Sequence, residues 1–392
     1  MTDALFRAVS AALQDELVDA VALRHRLHAH PDLSGDEAWT AERVVDALGG
    51  TEVYEVATTG RMIPVGGSEG PMIAVRAELD ALPIIEDTGA PFAAPGVAMH
   101  ACGHDVHLAA LVALARAVRQ VGAPVPLLAV LQPREETRPS GALDLVREEA
   151  FTRWRVRAVI GAHLQPALPA GWVSATPGAV NASFDEVEIT MQGRGGHGAY
   201  PHLNRDPVLA LMHALVAAHQ VVAVRTDPMH SAVFTVGHLD AAGTANVVPD
   251  SATARGALRA LHAADRAMLC REVGRAVRSA AEAFGCRCRL QIRDGQPAVV
   301  NDDRLAGAAR RWLDLAGFAT DRTFRSCGSD DFAYYATAAP SLMMFVGVGD
   351  GDGVDGLHSP RFLPPDAAVG DVARSMLAGY LAGVDVAGGR PG

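Results

Sequence analysis

The segment MHACGHDVH at 99–107 places a thiol (Cys102), two imidazoles (His104 and His107) and a carboxylate (Asp105) directly before an apolar helical pattern from Leu108 to Val118. A merely solvated loop gains nothing from Cys102, whereas a borderline-soft divalent cation binds thiolate, imidazole and carboxylate together. More donors of the same kinds stand far away in the chain: Glu78 and Asp80, the pair Glu135–Glu136, His163, and His358. Two ions need about five to seven protein ligands with some bridging, and this inventory suffices. The chemistry such a set supports is hydrolysis by an activated water. A rival reading makes Cys102 a thiolate nucleophile that forms an acyl-enzyme, but no Cys/His/Asn signature accompanies it.

Residues so far apart need a scaffold that brings them to one place. Short continuous apolar runs at 72–75, 125–131, 156–160 and 342–346 alternate with helical periodicity. Such runs suit strands buried on both faces of a mostly parallel sheet flanked by helices. Glu78 and Asp80, Glu135–Glu136, His163 and His358 each follow one of these runs, and the 102–107 loop precedes a helix, so all are expected at the carboxyl ends of strands. Open α/β sheets bind their ligands at that rim.

Between about 183 and 294 the pattern changes to strict alternation, with Val187, Ile189 and Met191 apolar and Glu186, Glu188 and Thr190 polar. Such strands have one wet face. Asp206 as N-cap and Pro207 at the first position open a helix to about Val222, followed by strands near 232–239 and 251–258. A helix over 264–284 stopped by Gly285 and a strand from Cys286 complete a βαββαβ order, that of a ferredoxin-like module. The expected organisation is a catalytic α/β domain, 1–181 plus 295–392, interrupted by a lid or dimerisation domain over 182–294.

With 49% hydrophobic residues the chain can pack more than one domain. Its 45 acidic against 34 basic side chains, a formal charge of −11, argue against a nucleic-acid partner. The N-terminal residues show no secretion signal, and no uninterrupted run reaches the roughly 18 apolar residues that span a bilayer. A cytoplasmic protein with no membrane partner is expected. Five scattered cysteines do not make a disulfide framework, and Cys286 and Cys288 fall on the apolar face of an alternating strand.

The motifs together resemble the amidohydrolase branch of the dinuclear metallopeptidases, related to glutamate carboxypeptidase and aminoacylase and including hippurate and auxin-conjugate hydrolases. The resemblance runs through RHRLHAHPDLSGDE (24–37), RAELDALPI (76–84), MHACGHDVH (99–107), LQPREE (131–136), GAHLQP (161–166), GRGGHGAYPH (193–202), NVVPDSATARGALR (246–259), GSDDFAYY (328–335) and HSPRF (358–362). It implies that Cys102, His104, Glu136, His163 and His358 hold two divalent ions (zinc, manganese, cobalt or nickel). Glu135 would be the general base and acid. Asp80 would orient a ligand imidazole as an outer carboxylate.

From the inserted domain, His197, Asn246 and Arg259 would meet the substrate carboxylate or polarised carbonyl, often across a homodimer, with Gly328 and Ser329 as a backbone anion cradle. His25, His28 and His30 read as a helix end before Pro31. Two positions depart from the branch: Glu78 replaces its usual aspartate and stays outside the ligand set, and Asp330 replaces a glutamate. The implied activity is cleavage of N-acyl-L-amino acids or related small-molecule conjugates at the amide. A dipeptidase or carboxypeptidase on the same centre, and a non-catalytic binding or scaffold protein, are the alternatives.

Overall fold

The computed structural model describes residues 2–49, 52–349 and 355–389. The chain divides into two compact units: Met1–Gly178, Val300–Phe324 and Asp331–Gly392 form one, and Ala179–Val299 with Arg325–Asp330 the other.

The first unit is built on an eight-stranded sheet. Its middle consists of four parallel neighbours, Leu127–Gln132, Ile73–Glu78, Ala158–Pro169 and Ser341–Gly349. Leu127–Gln132, Ile73–Glu78 and Ser341–Gly349 are buried at every residue, as runs without alternation require when both faces are covered. Gly60–Val65 and Tyr54–Val56 extend one side antiparallel, and Trp172–Ser174 and Ala319–Asp321 extend the other. Helix His104–Val121 packs on Ile73–Glu78, and helix Ala367–Ala387 on Ala158–Pro169 and Ser341–Gly349. The second of these helices lies close because it presents glycine to the sheet: a Cβ on Gly383 would stand 2.9 Å from Ile73 Cγ2. Register sets the site. Glu78 is opposite Gln132, Arg76 is opposite Gly161, and His163 is opposite Phe345, so donors from three strands reach one rim.

The second unit runs Phe184–Gln192, helix Pro207–Arg225, Ala232–Asp240, Ser251–Ala260, helix Ala263–Ala283, Arg287–Gln296. Its four strands are antiparallel, and counted along the chain they stand in the order second, third, first, fourth, namely Ala232–Asp240, Ser251–Ala260, Phe184–Gln192, Arg287–Gln296, the ferredoxin-like arrangement. Asp206 caps the first helix by accepting from Val208 N (2.8 Å) and Leu209 N (3.2 Å), with Pro207 in the first turn. Val187, Ile189 and Met191 fill the core beneath both helices.

Two local expectations need correction. The helix begins at His104, not Leu108, so His104, Asp105 and His107 form its first turn; the apolar count starts late because a polar first turn, with acidic Asp105 favoured by the helix dipole, serves the site. The strand expected over 156–160 extends from Ala158 to Pro169, so His163 lies within it, paired with Phe345. Helix Pro207–Arg225, expected from Asp206 to about Val222, is among the described residues long and apolar enough to cross a membrane, although His213, His219 and Gln220 interrupt its apolar run. It packs in the second unit through Ala210, Leu211, Ala214, Ala218 and Val222.

Candidate metal centre

Cys102 is delivered by a sharp turn into helix His104–Val121. Gly103 makes it, at φ 82°, where a Cβ would meet Leu164 Cδ1 at 2.6 Å. His104 Nδ1 donates to the backbone carbonyl of Asp80 at 2.7 Å. Its other nitrogen, Nε2, is therefore the lone-pair side, and it is buried without a hydrogen-bond partner. His163 is fixed in the same way: Nδ1 donates to Leu164 O at 2.7 Å, and Nε2 faces Cys102 Sγ at 3.4 Å. His358, at φ 65°, is anchored by its amide on Ala101 O at 2.9 Å. Its Nε2 lies 3.3 Å from Glu136 Oε1, an oxygen with no well-aligned hydrogen bond.

The ligand atoms of Cys102, His104 and Glu136 all lie within 4.8 Å of one another. Two of these atoms, His104 Nε2 and Glu136 Oε1, are buried without a well-aligned hydrogen bond, which costs free energy unless something fills the space beside them. A thiol, imidazoles and a carboxylate are the donor set of a divalent transition ion, so these residues fit one.

Glu78, His104, His107 and His163 also come within 4.8 Å of one another. Bonding separates this group from the first. His107 Nδ1 donates to Glu78 Oε2 (2.9 Å), while Nε2 accepts the amide of Leu164 (3.1 Å), so neither ring nitrogen is open to an ion. Glu78 Oε1 in turn accepts from Arg76 Nη1.

Asp80 acts differently from the outer carboxylate expected. Its backbone carbonyl, not its carboxylate, holds His104; Oδ1 is 3.7 Å from that ring. Oδ2 accepts instead from Ser34 Oγ (2.6 Å) and the Glu136 amide (2.9 Å), positioning the Glu135–Glu136 turn. Glu135 is buried beside these groups.

The electrostatics favour a cation. Burial, then the charges of Glu136, Glu135 and Glu78, push the Cys102 thiol well above its ordinary range. A thiol held protonated is a poor nucleophile, which counts against the acyl-enzyme reading, whereas a divalent cation would convert it to a ligand. Burial and then neighbouring His107 push His163 down to about 3, so it is neutral and ready to donate a lone pair. Burial lowers His104, but Glu78, Asp80 and Glu136 outweigh it and leave its pKa raised. The contact with Glu136 raises His358. Both shifts record an excess of negative charge.

In the second unit, Val247–Val248 pairs antiparallel with Gly196–His197, and Gly198 N donates to Asn246 O at 2.8 Å. This ribbon brings His197 and Asn246 side by side, both exposed. Arg259 is a separate cluster: Nη1 donates to Cys327 O (3.0 Å) and Ser329 Oγ (3.3 Å), and its guanidinium lies 4.8 Å from the Phe184 ring centroid. Burial lowers its pKa. Gly328 is less suited to an anion cradle than expected, because its amide already donates to Ser326 Oγ at 2.9 Å.

Residues 74–378 match the model of peptidase family M20/M25/M40. The chain belongs to that family. Among relatives, it is 31% identical to the N-acetyldiaminopimelate deacetylase of Exiguobacterium sibiricum, covering 89% of this chain and 95% of the relative. It is likewise 31% identical to the N-acetyl-L-cysteine deacetylase of Bacillus subtilis, over 89% of this chain and 84% of the relative. Among solved structures, a dinuclear metal-binding M20 peptidase of Bacillus subtilis superposes with a TM-score of 0.80 at 28% identity, covering 95% of this chain and 98% of that one. This M20 protein is accordingly a metal-binding hydrolase that acts on amides.

Two supporting networks escaped the sequence reading. Arg76, within the apolar strand Ile73–Glu78, donates to Glu78, Gln132 (2.7 Å) and Asp331 (3.1 Å). Asp331 also accepts from Ser140 Oγ (2.6 Å) and the Ala142 amide (3.2 Å). The signal was present: a charge inside a doubly buried strand demands a partner. Similarly, His28 is not a plain helix end. It is buried, with Nδ1 3.0 Å from Asp105 Oδ2 and Nε2 3.1 Å from Glu86 Oε1, and Arg24 joins Asp105 at 3.2 Å. The spacing Arg24/His28 puts both on one helix face.

Proposed function

We propose that this M20 hydrolase releases an amino acid from its N-acyl conjugate, using two divalent ions held by Cys102, His104, Glu136, His163 and His358. The observation that carries it is the convergence of Cys102, His104 and Glu136, with His104 Nε2 buried and unpartnered. The ions would polarise a water and the amide carbonyl. Glu135 takes the proton of the attacking water and passes it to the leaving amine nitrogen. Asp80 supports this turn through its carboxylate and His104 through its carbonyl. Zinc, manganese, cobalt and nickel all suit the donors.

His197 and Asn246 serve as donors to developing negative charge, and Arg259 with Ser329 as a clamp for the carboxylate of the released amino acid. The chain works as a homodimer through the ferredoxin-like unit. Support comes from Leu209, Met212 and Val216, exposed along one side of helix Pro207–Arg225, and from Ala232–Asp240 at a sheet edge, since edges invite pairing. Cytoplasmic placement is supported by five free thiols.

The names of two relatives, both deacetylases of N-acetylated amino acids, make N-acyl amino acids the substrates to test. A panel of N-acetyl and N-benzoyl amino acids set against dipeptides should show turnover of the acyl amino acids. Hydrolysis confined to dipeptides would overturn the substrate class.

A further inference from the structure

The candidate ligands do not account for three deeply buried ionisable groups near them. Arg76 is 1% exposed, Glu78 1% and His107 0%. They form one line: Arg76 Nη1 donates to Glu78 Oε1, His107 Nδ1 donates to Glu78 Oε2 (2.9 Å), and His107 Nε2 accepts the amide of Leu164 (3.1 Å). Leu164 is the residue whose carbonyl accepts from His163 Nδ1 at 2.7 Å. One peptide neighbour of His163 is thus gripped from both sides, its amide by His107 and its carbonyl by His163.

Tautomer logic makes the line directional. A His107 ring that accepts at Nε2 must carry its proton on Nδ1. Glu78 Oε2 takes that proton while Arg76 Nη1 donates to Oε1, so the carboxylate is clamped between two donors and holds the ring in this tautomer. Without Glu78, the ring could carry its proton on Nε2, facing the Leu164 amide with a donor, or turn a lone pair toward the neighbouring cation site. Ligand atoms of His107, His104 and His163 lie within 4.8 Å of one another, so a loose His107 would compete for an ion.

We propose that Arg76, Glu78 and His107 form a positioning relay that fixes His163 as a ligand and keeps His107 from becoming one. The inference rests on the metal reading above. It explains why a glutamate stands at position 78: its arm spans Arg76 and His107 at once. Arg76 also ties the relay to the chain on both sides of the Glu135–Glu136 turn, because Gln132 and Asp331 take its other donors and Asp331 holds Ser140 and the Ala142 amide.

The test uses the full-length protein with Co²⁺ as probe, following stoichiometry, affinity and visible spectrum in wild type, Glu78→Gln, His107→Ala and the double variant. His107→Gln, which retains one donor and one acceptor, is added as the conservative variant, and metal-free melting temperatures monitor folding. Outer residues that orient ligands change metal affinity by about 10–100-fold. Each single variant should therefore weaken one Co²⁺ by that factor, with the thiolate-to-cobalt band of Cys102 retained. The double variant should lose no more than the larger single loss, and His107→Gln should recover most of it.

Unchanged Co²⁺ affinity with a lowered metal-free melting temperature would reduce the relay to a structural prop and overturn the proposal. Additive losses, or a saturating stoichiometry lower by one ion, which marks direct ligation by Glu78 or His107, would overturn it too. If wild type itself shows no thiolate-to-cobalt band, the metal reading falls. If that band is present and only the relay variants are silent, this inference alone falls.

Discussion

Apart from exposed His358 and partly buried Arg259, the two sets of candidate functional residues are held in opposite ways. In the first unit, Asp80, Cys102, His104, Glu135 and His163 are buried, and the second nitrogen of both His104 and His163 is tied to a backbone carbonyl. In the second unit, His197 and Asn246 are exposed, placed by a two-strand ribbon rather than by packing. A cation needs its donors preset within tenths of an ångström, whereas a substrate of variable acyl group tolerates adjustable contacts. The difference teaches that reaction type and substrate choice are built with different stiffness, and it predicts different failures.

The largest effect is expected on the stiff side. Cys102→Ala removes a proposed ligand, so bound metal should be lost and turnover should fall by more than about 10²-fold, the several kcal/mol a catalytic ion supplies. Metal analysis of the purified variant beside its initial rates checks this, and retained metal with retained rate would place the ions elsewhere.

In the second unit, where Arg259 is the partly buried exception held by Cys327 O and Ser329 Oγ, Arg259→Lys keeps the charge but loses the paired geometry. The expected outcome is a 10- to 100-fold fall in kcat/KM, about 1.5–3 kcal/mol, carried by KM with metal content unchanged. A loss carried by kcat alone would move Arg259 to the chemistry.

The smallest effect concerns the support beneath the helix that carries His104. The His28 pKa is raised: burial lowers it, but Asp105 and Glu86 more than compensate. A raised folded-state value means that the contribution of His28 to stability is full below its unfolded value near 6.5 and fades as pH rises through the folded value. His28→Gln should therefore cost more melting temperature at pH 6 than at pH 9. An equal cost at both would show that His28 does not change its protonation between pH 6 and pH 9.

How much of this was legible in the sequence follows the same division. The doubly buried strands were plain as unbroken apolar runs at 72–75 and 125–131, and the inserted module as alternation around Val187, Ile189 and Met191. The donors were visible because Cys102 among histidines has few uses. His107 and Asp105 could not be sorted from His104 by type, since only the bonds to Glu78 and Leu164, and to Arg24 and His28, show which rings and carboxylates are already engaged. The role of Asp80 was half visible. Its carboxylate was expected on an imidazole, but a backbone carbonyl does that work, and backbone acceptors leave no trace in side-chain identity. The Arg76 network was missed because its partners Gln132 and Asp331 come from segments 199 residues apart.

The central claim is that metal binding and proton transfer fall on different, adjacent glutamates. Glu135→Gln preserves shape and removes only the base, so metal content and N-acyl amino acid turnover measured on the same preparation test the claim directly. The account predicts two ions retained and turnover reduced by about 10²–10⁴-fold. Loss of an ion would make Glu135 a ligand, and undiminished turnover would remove it from the chemistry; either result contradicts the account.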